Sequence, residues 1–166
     1  MNRTLSLLPA LLVVLLSISG CKTAPTSEAN RQSLITASNQ ALAEMKNPDS
    51  SLQAFLDSAY GYAIFPSVGS GGFIVGGGWG RAAVYEQGRF IGFADMTKAN
   101  VGLTVGGQKF RQIIVFQDKA SLDRFTSNQL TFDAGVTAVA LTSGAAAEAA
   151  YRNGVGGFMH ALGGLE

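Results

Sequence analysis

Cysteine and histidine are each used once in this 166-residue chain, at Cys21 and His160. One cysteine cannot close an intramolecular disulfide or build a Cys-rich metal site. Zinc needs three or four ligands, and His160 would have to find them all among scattered carboxylates. Charge is scarce too: 14% of residues are charged and the formal net charge is +1. Phosphate-backbone recognition needs a clustered cationic face, so nucleic acid is not an expected partner. No lysine occurs between Lys46 and Lys98. The glycine clusters Gly69-Ser70-Gly71-Gly72 and Gly76-Gly77-Gly78-Trp79-Gly80 therefore lack the Gly-Lys-Ser/Thr of a phosphate loop. A dinucleotide fingerprint would open a helix, whereas the residues after Gly80 read as strand. No Gly-x-Ser-x-Gly elbow is present, since Val68-Gly69-Ser70-Gly71 lacks the first glycine. His160 then reads as a structural or surface residue. The acids form no close pair of the glycosidase kind. Neither catalysis nor a cofactor is expected.

A long hydrophobic run is also missing. Residues 1–20 carry Arg3 as their only charge and an apolar stretch over 11–16, with Pro9 ahead of it. A membrane-spanning helix needs about 20 apolar residues. The charged, apolar and small-residue regions instead follow the order of a secretory signal. Ile18-Ser19-Gly20-Cys21 resembles the bacterial lipoprotein signal, in which the cysteine is lipidated and becomes residue one. The alternative is ordinary cleavage that leaves Cys21 as an incidental thiol. An unpaired cysteine in an exported chain is a liability unless used, and several acyl chains on one residue anchor it almost irreversibly. Lys22, where an Asp could stand, favours the outer over the inner membrane in lipoprotein sorting. The expected organisation is a signal over 1–20, a lipidated cysteine and polar tether over 21–27, and one domain over 28–166.

Hydrophobic residues are plentiful, at 47%, and arranged in two styles. Leu34, Ala37 or Ser38, Ala41, Leu42 and Met45 recur at helical spacing, and Asn47-Pro48 ends that helix. A second helix is predicted from Asp49 or Ser50 as cap, with Leu52, Phe55, Leu56 and Ala59 on one face and Gly61 as its stop. Beyond Tyr62 the pattern turns to strands. Thirteen of the 21 glycines fall between Gly61 and Gly107. Gln87-Gly88 reads as a hairpin turn, and Val101, Leu103 and Val105 alternate with small residues. Phe110, Gln112, Ile114 and Phe116 form one face of a central strand, with Arg111, Ile113 and Val115 on the other. Asp118 caps a short helix bearing Leu122 and Phe125. Residues 136–142 and 147–151 read as strands, and Asn153-Gly154 as a turn before a strand over 155–162.

Helices first and strands afterwards predict an α+β fold. The sheet is expected to be mainly antiparallel and strongly curved, or a partial barrel, because glycines inside strands mark bulges and bends. The first helix should pack on that sheet; its charges, Glu28, Arg31, Glu44 and Lys46, balance to zero, unlike those of a basic membrane-surface helix.

Gly61-Tyr62-Ala63-Ile64-Phe65-Pro66-Ser67-Val68, then Gly71-Gly72-Phe73-Ile74-Val75-Gly76-Gly77, then Val105-Gly106-Gly107-Gln108 before an apolar strand, resemble the SYLF domain. The resemblance covers residues 30–164 and implies a lipid-binding module. Eukaryotic members bind phosphoinositides; bacterial ones are often secreted proteins or lipoproteins. The chain departs from the family pattern at Leu141-Thr142-Ser143-Gly144-Ala145-Ala146, where many members carry Gly-Pro-x-Gly-Arg. It also has Arg152-Asn153-Gly154 in place of a Ser-Lys-Gly turn, and the family pattern continues past Glu166 with a further strand.

The expected activity is therefore binding of phospholipid or another amphiphile by a lipid-anchored envelope protein, facing the periplasm. Phe73, Trp79 and Phe90 are the apolar candidates for that contact. Arg81, Arg89, Lys98, Lys109 and Arg111 are the candidate head-group cations, although turn-proximal charges are commonly just solvated. The rival expectation is an envelope assembly protein that pairs with another protein through an open sheet edge.

Overall fold

A computed structural model describes residue 25 and residues 27–71, 75–101, 107–127 and 139–165. Cys21, the signal and Phe73 lie outside the described residues, as do Leu103 and Val105.

The chain opens with α1 (Glu28–Lys46) and α2 (Ser51–Asp57). Ser27 caps α1 by accepting a hydrogen bond from the Asn30 amide at 3.2 Å. Ser38, Ala41 and Met45 form the buried stripe of α1, as the helical spacing predicts. Ser38 Oγ also donates to the Ile64 carbonyl at 3.3 Å, tying the helix to the sheet. At the start of α2 the capping side chain is that of Asp49, whose Oδ1 accepts from the Ser51 amide at 3.0 Å.

Five long strands follow: β1 (Gly61–Gly71), β2 (Val75–Glu86), β3 (Arg89–Val101), β4 (Gly107–Phe116) and, after α3 (Lys119–Thr126) and the two-residue β5 (Val139–Ala140), β6 (Val155–Leu165). The sheet order is β3-β2-β1-β4-β6-β5. All pairings are antiparallel except β5 with β6. The fold is thus α+β with an open, mixed six-stranded sheet. Antiparallel neighbours can be joined by two-residue turns, and two such turns are present among the described residues. Gln87 and Gly88 take φ of 47° and 77°, and Asn153 and Gly154 take 51° and 78°.

Strand alternation sends one set of side chains to each face. Ile64, Ala83, Tyr85, Ile113, Val115 and Phe158 meet Ala41, Met45, Leu52 and Leu56 beneath α1 and α2. Ala63, Phe65, Val68, Ala82, Val84, Ile114, Phe116 and Val155 form a second cluster on the opposite face, closed in part by Leu122 and Phe125 of α3. Asp118 caps α3 through the Ser121 amide at 2.8 Å, as its position predicts.

Three sequence expectations need correction. Residues 147–151 are not a strand; they belong to an irregular segment with a run of turns over 143–147. Of 136–142, only Val139–Ala140 is strand among the described residues. Gly61 does not stop α2 but opens β1. A Cβ there would come within 2.7 Å of the Tyr85 carbonyl oxygen, so the glycine allows β1 to approach its neighbour.

Candidate functional site

The β2–β3 turn is the most exposed apolar feature described. Tyr85 pairs with Phe90, and Val84 pairs with Gly92. Ile91 is therefore an extra residue in β3, a bulge that breaks the alternation. Its consequence is that two consecutive large apolar side chains face water: Phe90 is 41% exposed and Ile91 45%. Arg89 precedes them and is also exposed. The turn is held firmly, because the Gln87 amide donates to the Tyr60 carbonyl at 2.9 Å.

Behind this tip runs a line of rings. Phe90 meets Phe93 edge-on at 5.0 Å and Tyr85 edge-on at 5.9 Å, and Tyr85 stacks on Tyr62 at 5.2 Å. The Tyr85 hydroxyl donates to Asn39 Oδ1 at 3.0 Å, which anchors the line to α1. Burial raises the pKa of both tyrosines, and in Tyr62 the carboxylate of Asp57 adds to the effect.

Tyr62 also lines a cleft of about 500 Å³ between the C-terminal end of α1, α2 and the β2–β3 turn. Lys46, Gln53, Asp57, Gln87 and Gly88 supply its polar rim, with Leu42, Leu56 and Ala59. This volume is within the range of small-ligand sites. Gln53 Nε2 donates to Asp57 Oδ1 at 2.6 Å.

Of the candidate cations, Arg81, Arg89, Lys109 and Arg111 do not converge. Arg111, opposite His160 on β6, is drawn to α1, with Nη2 2.5 Å from Glu44 Oε2. Arg81 stands opposite Asp95 in the register, Nε lying 3.6 Å from Oδ1. Burial raises the Asp95 pKa, and Arg81 works against that shift. Lys109 is exposed on β4, opposite Gly69. Lys98 and Trp79 occupy β3 and β2 positions opposite Gly78 and Thr97. Arg89 lies opposite Glu86, whose Oε1 already accepts from the Tyr60 hydroxyl at 2.6 Å. Among the described residues singled out by sequence, Arg89 and Phe90 sit together at the exposed tip. Ile91 was not among them, although adjacent apolar residues just after a turn are the signal that alternation is broken there.

Among the described residues, no group of three His, Cys, Asp or Glu is placed to hold a metal ion. Nor is any described helix long and apolar enough to cross a membrane.

Over 116 residues the chain is 30% identical to the protein named beta cell expansion factor A from Aeromonas veronii. That match covers 68% of this chain and 44% of the relative, so the chain spans less than half of that protein's length. No family model matches the chain. No solved structure matches it either.

Proposed function

We propose that this chain is a non-catalytic, lipid-anchored envelope protein whose domain binds phospholipid or another amphiphile at the membrane. The carrying observation is the exposed Arg89-Phe90-Ile91 tip, fixed on a rigid two-residue turn. Apolar groups beside one cation suit the boundary between acyl chains and head groups. Burying a Phe or Ile side chain fully contributes about 1.5–3 kcal/mol. With less than half of each side chain exposed, the pair offers about 1–3 kcal/mol, which is weak binding. Acylation of Cys21 makes weak binding sufficient, because a tethered domain meets its membrane at high effective concentration. The SYLF resemblance supports the same activity, and Lys22 supports the outer membrane, facing the periplasm, as its place.

Co-sedimentation of the Cys21→Ser chain with anionic and zwitterionic vesicles tests the contact. Binding is expected, and a Phe90→Ser, Ile91→Ser double substitution should abolish it; no binding to any vesicle refutes the surface contact. Incorporation of labelled palmitate into the wild-type chain, absent in Cys21→Ser, tests the anchor.

A second reading rests on β3 as a 13-residue strand at one edge of the described sheet. Its outward backbone groups suit pairing with a strand of another envelope protein. Recovery of one protein at fixed stoichiometry by crosslinking, without bound lipid, would favour it.

A further inference from the structure

We infer that the cleft at the C-terminal end of α1 is a binding site for a small zwitterion of the phosphoethanolamine type, its anionic group on Lys46 and its ammonium between Asp57 and the Tyr62 ring. This deepens the proposed amphiphile binding by naming a head-group class, and rests on that reading only for the lipid as source.

The charges of the cleft carry the inference. Lys46 and Asp57 line the same 500 Å³ space. Yet among the described residues the ion pairs are Arg31–Glu28, Arg81–Asp95, Arg111–Glu44 and Lys119–Asp123. Lys46 and Asp57 are thus more than 4 Å apart, and among the described residues neither has another charged partner. Asp57 accepts from Gln53 through Oδ1, which leaves Oδ2 for a ligand. A lone anion entering here meets the Asp57 carboxylate, and a lone cation meets the Lys46 ammonium. A ligand carrying both charges satisfies both at once.

The remaining walls agree with this. An ammonium is attracted to the face of an aromatic ring, and Tyr62 is held in orientation by its stack on Tyr85. Gln87 and Gly88 close one side on a turn whose backbone is pinned to Tyr60. Tyr62 and the turn are thus in place before binding, and the ordering cost falls mainly on the Lys46 side chain. Leu42, Leu56 and Ala59 give the carbon chain between the two charges an apolar floor.

Calorimetric titration of the full Cys21→Ser chain with O-phosphoethanolamine tests the site, with inorganic phosphate and ethanolamine as half-ligands. Phosphoethanolamine is expected to bind at least about tenfold more tightly than either half. Lys46→Gln should lower its affinity about tenfold or more, and Asp57→Asn should reduce it to that of phosphate. Unchanged binding in both variants, or no binding at millimolar ligand, overturns the site; thermal melts of each variant show that it is folded. Vesicles of phosphatidylglycerol with or without phosphatidylethanolamine then identify the source. A preference for the mixed vesicles that Asp57→Asn removes assigns the site to a lipid head group. Tight phosphoethanolamine binding without that preference assigns it to a soluble zwitterion. If vesicles bind but phosphoethanolamine does not, the cleft fails and the exposed tip stands. If phosphoethanolamine binds and no vesicle does, the tip fails and the cleft stands.

Discussion

Asp49 Oδ2 accepts a hydrogen bond from the backbone amide of Ala146 at 2.7 Å, across 97 residues of chain. The other oxygen takes the Ser51 amide at 3.0 Å and the Ser51 hydroxyl at 2.5 Å. One buried carboxylate thereby caps α2 and fastens the turn over 143–147 to it. Removing a buried partner leaves donors unsatisfied, so Asp49→Ala should cost about 1–3 kcal/mol in urea unfolding. Asp49→Asn, which keeps an acceptor oxygen, should cost less.

The same contacts set an acid dependence. Burial acts to raise the Asp49 pKa, but hydrogen bonds from the Ser51 hydroxyl and from the Ala146, Ser51 and Gly144 amides together outweigh it, leaving the pKa below 3.8. A carboxyl depressed by folding stabilises the native state above its unfolded pKa, and that contribution disappears as pH falls through the folded value. Stability should therefore decline below pH 3.8, and the decline should be shallower in Asp49→Asn. Unfolding followed at several acidic pH values checks the difference in slope.

Gly61 and Gly92 form a controlled pair. A methyl at Gly61 meets the Tyr85 carbonyl oxygen at 2.7 Å and Leu122 Cδ2 at 3.2 Å, whereas one at Gly92 meets nothing within 4 Å. Gly61→Ala should destabilise by about 1–3 kcal/mol, since β1 and β2 must part. Gly92→Ala should stay within about 0.5 kcal/mol of wild type. Thermal melts of the two variants make the comparison.

The Arg111–Glu44 pair links β4 to α1, with side chains 19% and 38% exposed. A double-mutant cycle with Arg111→Met and Glu44→Gln should give a coupling of about 1 kcal/mol or less that shrinks in high salt.

At the β2–β3 tip, Phe90→Ser with Ile91→Ser should lower the unfolding free energy by about 1–3 kcal/mol, because more than half of each side chain is covered and Phe90 gives up its edge contacts with Tyr85 and Phe93. Vesicle binding by the wild-type tip should change only a few-fold between low and high salt. Arg89 is its one cation, and salt dependence grows with the number of charges engaged.

Local signals carried much of this architecture. The α1 stripe, the Gln87-Gly88 and Asn153-Gly154 turns, the two faces of β4 and the Asp118 cap are all written in residues a few positions apart. The segment over 147–151 is not legible in this way, because an alanine-rich tract has no alternation to betray its state. The turn that leads into it is held at Ala146 by Asp49, whose sequence context announces only a helix cap. Gly61 misled for a similar reason: a glycine after a helix is a plausible stop, and the carbonyl that requires it belongs to another strand. The site was half legible. Phe90 and Arg89 stood out beside the turn, but the bulge that exposes Ile91 exists only in the pairing of β2 with β3.

By itself, the order of residues determined the helices-then-sheet plan, the turn positions and which strand faces are apolar, because those depend on backbone preference and short-period patterning. Tertiary structure decided what the charged and aromatic groups do. It paired Arg111 with Glu44 and Arg81 with Asp95, and it set Lys46, Asp57 and Tyr62 around one cleft. These side chains come from separate elements, and electrostatic and ring contacts act over a few ångströms of space, whatever the separation along the chain.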